Sequence, residues 1–204
     1  MAGPGCGPGP KAPATAHGGT ARPSILVVTL DTTRADVIGP EAEGVETPAF
    51  TALAARGLRF RQAYATVPET LPSHVSLFTG LLPAGHGVHE NARVLARDRP
   101  LAAERLQQAG YRTAAFVSSF VLARRFGLAR GFEVYDDELP AGLAERSAAL
   151  TTERALSYLA RDAPQPLLLW VHYYDPHHPY SPPEPFRTRY AKDPYRGEVA
   201  AIEE

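Results

Sequence analysis

Three short, uninterrupted apolar runs constrain the fold of this chain more than any other feature. They are SILVVTL at 24–30, RTAAFVSS at 112–119 and PLLLWVHYY at 166–174. Continuous runs of this length, bounded by polar or turn-forming residues, are typical of parallel strands that are buried on both faces. The runs therefore predict a sheet whose two faces are both covered.

Helical patterns separate these runs. Thr47-Pro48 and Gly57 provide a start and a stop for one helix, and further helices are expected at 73–79, 99–111 and 147–161. An alternating pattern at 58–66 suggests an additional strand. Strands alternating with helices indicate an α/β fold, with a doubly wound, mostly parallel sheet flanked by helices. We expect a single domain at 23–204, preceded at 1–22 by a disordered tail rich in Gly, Pro and Ala.

Composition excludes some classes of function. The 21 Lys and Arg against 22 Asp and Glu give a net charge of -1, so there is no global attraction to nucleic acid or anionic membrane. The single cysteine, Cys6, excludes a disulfide framework. No apolar run approaches the roughly 18 residues that a transmembrane helix needs. Localisation stays open between periplasmic, lipid-anchored and cytoplasmic.

The first candidate for chemistry is Asp31, which directly follows a predicted buried strand. Ligand sites of doubly wound sheets lie beyond the carboxyl ends of the strands, and the polar ends of the first and third runs should converge there. A carboxylate at that position can hold a hard cation, with Thr32 as a weaker oxygen donor. The alternative is that Asp31 only caps the turn.

The second candidate is Thr70, in the string PETLPSHVSLFTG at 68–80. Its hydroxyl precedes a predicted helix whose N-terminus could face an anion, and a metal on that hydroxyl would make it nucleophilic. His74, in the first turn, could donate a hydrogen bond to a bound oxyanion. The alternative is an ordinary loop with Ser73 as the helix N-cap.

Histidines supply the remaining candidates. His86, between two glycines, could approach a substrate closely, although such a histidine is about as often incidental in a surface turn. His172, Asp175, His177 and His178 form a cluster near the end of the third run that suits either metal ligation or anion binding. Two adjacent histidines do not usually share one metal, so one of them should be a bystander.

Taken in order, these segments resemble the N-terminal region of sulfatases, in the alkaline phosphatase superfamily. The resemblance runs from about residue 24 to 204 and rests on LDTTRAD, TPAFTALAARGLRFRQAYA, TLPSHVSLFTGLLPAGHGV, AGYRTAAFV and DPHHPYSPP. It implies a divalent metal, usually Ca²⁺, on Asp31, Thr32 and Thr70, and in-line attack on the sulfur or phosphorus of an ester. Thr70, His74 and His177 would be catalytic, and His86 and His178 would bind a small-molecule, glycan or lipid ester.

Several residues depart from the sulfatase pattern. Thr70 stands where sulfatases carry the Cys or Ser that becomes formylglycine, and His74 replaces the Arg of the signature. Thr32 replaces the second Asp of the metal motif, and Ser118-Ser119 begins the segment that replaces a Lys/His element.

A threonine nucleophile resembles the phosphodiesterase and phosphoglycerol transferase relatives, which form a phospho-threonine. The resemblance also places further metal ligands, an Asp-His pair, beyond Glu204. Sulfate or phosphate ester hydrolysis, phosphoryl transfer and an inactive fragment or pseudoenzyme are therefore the alternatives.

Overall fold

A four-stranded parallel sheet forms the centre of the computed structural model, which describes residues 22–161 and 166–203. Its strands are β1 (Ile25–Leu30), β2 (Arg112–Val117), β3 (Val134–Asp136) and β4 (Leu167–Tyr173), in the spatial order β1-β4-β2-β3. β4 pairs with β1 and β2, and β2 with β3, in each case in parallel. The predicted tail lies outside the described residues, apart from Arg22.

Seven α-helices connect or flank these strands within the described ranges. They are α1 (Pro48–Arg56), α2 (Thr70–Thr79), α3 (Pro83–His86), α4 (Ala102–Gln108), α5 (Ala148–Leu159), α6 (Phe186–Arg189) and α7 (Pro194–Ala201). Three 3₁₀ turns occur at Ala35–Val37, Phe120–Leu122 and Arg124–Phe126. The four helices expected from sequence correspond to α1, α2, α4 and α5.

Alternating side chains of β4 build a core on each face of the sheet. Trp170 is fully buried and packs with α2, where Phe78 lies 4.6 Å away between ring centroids, and with Phe132 and Tyr135 at β3. On the opposite face, Leu169 and Val171 pack with α5 through Ala155. Because successive strand residues point to opposite faces, a continuous apolar run is what a sheet covered on both sides requires. The doubly wound architecture is therefore confirmed. β1, at one end of the strand order, is covered on one face only: Leu26 is 62% and Val28 48% exposed, so the predicted burial of both its faces is wrong.

α2 begins three residues earlier than predicted, which moves the second candidate residue into the helix. Glu69, not Ser73, occupies the N-cap position, and its carbonyl oxygen accepts a hydrogen bond from the Ser73 amide at 3.1 Å. Gly80 ends the helix with φ of 72°, a left-handed conformation that glycine adopts without steric cost. Thr70 is thus the first residue of α2.

The strand predicted at 58–66 is wrong. This segment is irregular, and its large apolar side chains face outward: Leu58 is 82%, Phe60 74% and Tyr64 85% exposed. In the described part of the chain no neighbouring strand offers backbone partners to this segment, and an alternating pattern cannot form a strand without them. The described residues include no helix that is both long and apolar enough to cross a bilayer.

Candidate active site

The predicted meeting of Asp31 and Thr70 is present at the carboxyl end of β1. The Asp31 amide continues the sheet by donating to the Tyr173 carbonyl at 2.9 Å. Its Oδ2 accepts a hydrogen bond from the Thr70 hydroxyl at 2.7 Å, and its Oδ1 accepts one from the Thr32 amide at 2.9 Å. Residues 39 positions apart in sequence therefore place a hydroxyl directly on a carboxylate.

Thr32 holds the turn that follows Asp31. Its backbone is left-handed, with φ of 47°, which for a β-branched residue costs about 1–2 kcal/mol. Its hydroxyl donates to the Pro176 carbonyl, and its carbonyl accepts a hydrogen bond from the Tyr195 hydroxyl at 3.0 Å. The strained turn is thus fixed by contacts with two later segments, and the hydroxyl predicted as a metal ligand is engaged within the protein.

Thr70 is the first residue of α2 and lines a cleft. Its residue is 9% exposed, and the following Leu71 amide donates to Asn91 Oδ1 at 2.9 Å. The N-terminus of a helix favours negative charge, because its first amides lack helical acceptors and the helix dipole is positive there. The Thr70 hydroxyl therefore lies where an oxyanion would be stabilised.

His74 supports this arrangement from one turn further along α2. Its Nδ1 lies 2.7 Å from the Thr70 carbonyl, which can only accept, so Nδ1 carries the hydrogen. Its Nε2 lies 3.0 Å from the hydroxyl of Thr29, which also accepts a hydrogen bond from Trp170 Nε1 at 3.0 Å. Burial lowers the pKa of His74 to about 4. The ring is therefore neutral near pH 7, and both of its nitrogens have partners within the protein.

His172 approaches Asp31 from β4. The residue is fully buried, and its Nε2 lies 3.7 Å from Asp31 Oδ2 without a hydrogen-bond partner among the described residues. On its other side, Nδ1 faces Ser118, whose hydroxyl also donates to the His172 carbonyl at 2.7 Å. Burial lowers the pKa of His172. One member of the predicted cluster therefore lies beside the candidate metal ligand.

The other members of that cluster separate. Asp175 Oδ2 accepts a hydrogen bond from the Ala148 amide at the start of α5, at 3.0 Å. His177 lines the cleft, stacked on Tyr174 with ring centroids 4.1 Å apart, and its Nδ1 lies 2.8 Å from the His178 carbonyl. His178 is exposed and meets Tyr180 edge-on. Of the two adjacent histidines, His177 is the one at the cleft.

The contacts of His86 indicate a structural role. It ends α3, is 2% exposed, and accepts a hydrogen bond from the Val88 amide at Nδ1, at 3.1 Å. Nε2 must then carry the hydrogen, which it donates to the Ser76 hydroxyl at 2.9 Å. Both nitrogens therefore hold the turn after α2, and the residue does not line the cleft.

The cleft beside Thr70 has a volume of about 700 Å³ and contains no lysine or arginine among its described lining residues. The lining consists of Thr29, Leu30, Asp31, Thr32, Thr33, Tyr64, Ala65, Thr66, Val67, Pro68, Glu69, Thr70, Ser73, His74, Ser76, Leu77, Asn91 and His177. Any anionic group bound there would need a positive partner from another source. Asn91 and Thr29 were not predicted as site residues. Side chains alternate between the two faces of a strand, and this alternation along β1 is the signal that could have indicated Thr29.

Asp31 has no permanent cation beside it. Among residues 22–161 and 166–203, no lysine or arginine nitrogen lies within 4.0 Å of its carboxylate. Burial raises the pKa of Asp31, but attraction to His172 and the Thr70 hydroxyl outweighs burial, so the net pKa lies below the ordinary value. An anionic, largely buried carboxylate of this kind suits a hard cation. In the described ranges no three His, Cys, Asp or Glu side chains gather closely enough to form a metal site.

The chain is similar in sequence to known sulfatases. The sulfatase family model matches residues 23–201. An arylsulfatase of Clostridium perfringens is 32% identical over 95 residues, covering 45% of this chain and 20% of the relative. An N-acetylglucosamine-6-O-sulfatase of Bacteroides thetaiotaomicron is 26% identical, covering 80% of this chain and 32% of the relative. The chain thus spans between a fifth and a third of the length of these two relatives.

Solved structures share the fold. A protein bound to its substrate, D-glucosamine-2-N,6-O-disulfate, matches with a TM-score of 0.72 and 22% identity, covering 84% of this chain and 38% of that one. The phosphonate monoester hydrolase of Agrobacterium radiobacter matches with a TM-score of 0.69 and 21% identity, covering 82% and 44%. The family match covers most of the chain and includes both Asp31 and Thr70. The chain therefore belongs to the sulfatase family.

Proposed function

We propose that this chain supplies the nucleophile and part of the metal site of a metal-dependent hydrolase of sulfate or phosphate esters. The observation that carries the proposal is the 2.7 Å hydrogen bond from the Thr70 hydroxyl to Asp31 Oδ2, at the floor of an open cleft. A hydroxyl that donates to a buried carboxylate has its oxygen lone pairs turned away from that carboxylate. Thr70 can therefore present them to an electrophilic sulfur or phosphorus.

The donor set around Asp31 suits a divalent cation. Asp31 and the Thr70 hydroxyl offer oxygen ligands, which Ca²⁺ and Mg²⁺ prefer, and no protein cation among the described residues competes for the carboxylate. A bound cation would lower the pKa of the Thr70 hydroxyl and neutralise charge on the transferred group. Ca²⁺ is the expected ion, by resemblance to sulfatases. Thr32 contributes mainly by holding the turn, since its hydroxyl donates to Pro176.

His177 is the proposed contact to the transferred oxyanion. Its Nδ1 faces the His178 carbonyl and therefore carries a hydrogen, which leaves Nε2 as the nitrogen available to the cleft. His74 acts by holding the first turn of α2 against β1, because its two nitrogens contact Thr70 and Thr29. His178 is exposed and remains a proposed substrate contact, whereas both His86 nitrogens already have partners.

Two kinds of ester fit these residues. Relatives include an N-acetylglucosamine-6-O-sulfatase, and the matched structures include a phosphonate monoester hydrolase, so sulfur and phosphorus esters of small molecules, glycans or lipids are all proposed substrates. Thr70 itself favours the second candidate function, phosphoryl or phosphoglycerol transfer through a phospho-threonine. Threonine cannot become the aldehyde that sulfatases use, but its hydroxyl can carry a phosphoryl group.

Turnover of an ester panel tests the proposal. Aryl sulfates, phosphate monoesters and phosphate diesters would be assayed with Ca²⁺, Mg²⁺ or Mn²⁺ and with a chelator. We expect metal-dependent turnover of at least one class, which Thr70→Ala lowers by about 10³-fold or more because the nucleophile is lost. Thr70→Ser, which keeps a hydroxyl, should retain part of it.

Thr79→Ala is the matched control, because Thr79 lies in the same helix and its hydroxyl bonds internally to the Val75 carbonyl at 2.7 Å. It should leave turnover close to that of the wild type. Wild-type turnover in the Thr70→Ala variant would refute the nucleophile assignment. Inactivity of the wild type on every ester and metal would favour a pseudoenzyme instead.

A further inference from the structure

The side chain of His172 is the buried polar group whose geometry remains unexplained by the proposed chemistry. It belongs to β4, is 0% exposed, and directs Nε2 toward Asp31 Oδ2 at 3.7 Å. That separation is about 0.8 Å longer than an ordinary N–H···O bond. A buried nitrogen without a partner is destabilising, so its presence beside a metal-ligand candidate needs an explanation.

The two sides of the His172 ring face Ser118 and Asp31, and these neighbours bear on which nitrogen carries the hydrogen. The Ser118 hydroxyl donates to the His172 carbonyl at 2.7 Å and accepts from the Tyr174 amide at 2.7 Å. The Ser118 amide, which can only donate, points at Nδ1 from 3.5 Å. The Ser118 hydroxyl also lies 3.2 Å from Nδ1, so Ser118 offers Nδ1 both a donor and an acceptor. Nε2 faces the Asp31 carboxylate, which can only accept. A lone pair on Nε2 would meet the negative charge of that carboxylate, whereas a hydrogen is attracted to it, so we place the hydrogen on Nε2.

We propose that His172 is a positioning residue for Asp31, whose Nε2–H orients the carboxylate that binds the metal; this inference rests on the proposed function. Oδ1 is already held by the Thr32 amide and Oδ2 by the Thr70 hydroxyl. His172 directs a third donor toward Oδ2, from 3.7 Å. Its complete burial keeps bulk solvent away from that place.

Neutrality makes the side chain suited to this role. A lysine or arginine at the same position would compensate the carboxylate and compete with the cation. A neutral imidazole donates one hydrogen and leaves the negative charge available. Hydrogen bonds from such outer residues to metal-binding carboxylates commonly contribute 10–100-fold to metal affinity.

Calcium affinity tests the role of His172. Ca²⁺ alone would be titrated into the full chain and its variants by calorimetry. His172→Leu, which removes the donor but keeps bulk, should raise the Kd by about 10–100-fold. His172→Gln, whose amide nitrogen can reach the place of Nε2, should recover most of the affinity. His86→Leu is the matched control: His86 is equally buried but outside the site, so the Kd should not change.

A second measurement needs no variant. The ¹⁵N chemical shifts of the His172 ring in the wild type report its tautomer directly, and we expect Nε2 to carry the hydrogen. A hydrogen on Nδ1 would overturn the inference, as would a Kd in His172→Leu equal to that of the wild type. In the latter case the metal site itself would stand, whereas a wild type that binds no divalent cation would overturn the proposed metal site as well.

Discussion

Two aspartates at the same edge of the sheet have similar burial but opposite electrostatic surroundings. Asp31 follows β1 and Asp136 ends β3, and their side chains are 11% and 16% exposed. Asp136 is paired with Arg146 at 2.6 Å and Arg154 at 3.1 Å. Among the described residues, Asp31 has the neutral ring of His172, the Thr32 amide and the Thr70 hydroxyl beside it, and no arginine or lysine. One carboxylate is compensated by the protein and the other is left available.

The difference shows that a carboxylate at a strand end is not by itself a ligand site. Burial raises the pKa of Asp136, but hydrogen bonds and charge from Arg146 and Arg154 outweigh burial and lower it. The groups that lower the pKa of Asp31 include His172 and His74, and burial lowers the pKa of both histidines. Near neutral pH, Asp31 therefore lacks a protein cation.

The largest expected effect contrasts the same substitution at the two positions. Asp136→Asn should lower the free energy of unfolding by about 3–5 kcal/mol, because it leaves the fully buried Arg146 guanidinium without its counter-charge. Asp31→Asn should change it by about 1 kcal/mol or less, since an amide oxygen can still accept from Thr32 or Thr70. Urea unfolding with a chelator measures both values. Equal losses would mean that the two aspartates do not differ in the way described.

The stability difference between the wild type and Asp136→Asn should also depend on pH. The pKa of Asp136 is lowered from its unfolded value of 3.8, so the unfolded carboxylate takes up its proton first as the pH falls. The stability that Asp136 contributes is therefore complete above about pH 5 and is lost as the pH drops below about 4. We expect the gap between wild type and Asp136→Asn to narrow over that range in unfolding titrations. A gap that is constant down to pH 2 would contradict this.

The smallest effect distinguishes the two arginines around Asp136. Arg154 is 34% exposed, so solvent screens much of its attraction to the carboxylate. Arg154→Gln should cost only about 0.5 kcal/mol in the free energy of unfolding. A loss as large as that of Asp136→Asn would identify Arg154, rather than the buried Arg146, as the principal compensating cation.

Sequence predicted the strands that have long apolar runs. β1, β2 and β4 lie within the predicted segments, and the ends of β1 and β4 converge as expected. β3 has only three residues, too few for a periodic signal. The segment 58–66 shows the opposite failure, because alternation of apolar residues does not specify whether a neighbouring strand exists.

For the site, sequence predicted the pair but not its supports. The link between Asp31 and Thr70 followed from the resemblance of the ordered segments to sulfatases. The depth of His172 and the internal partners of His74 and His86 depend on packing across 10 to 54 residues, which no local pattern encodes. The local sequence around a histidine that only supports the fold does not differ from the sequence around one that faces a ligand.

The two contacts between α2 and the β1 strand restrict how far the helix can move relative to the sheet. Thr70 contacts Asp31, and one turn later His74 contacts Thr29, so the helix cannot slide or rotate relative to the strand without breaking both. The entropic cost of aligning the hydroxyl is therefore met during folding rather than during each encounter with an ester. For the proposed reaction, we therefore expect different leaving groups to be accommodated by the irregular segment 64–69, which lines the same cleft.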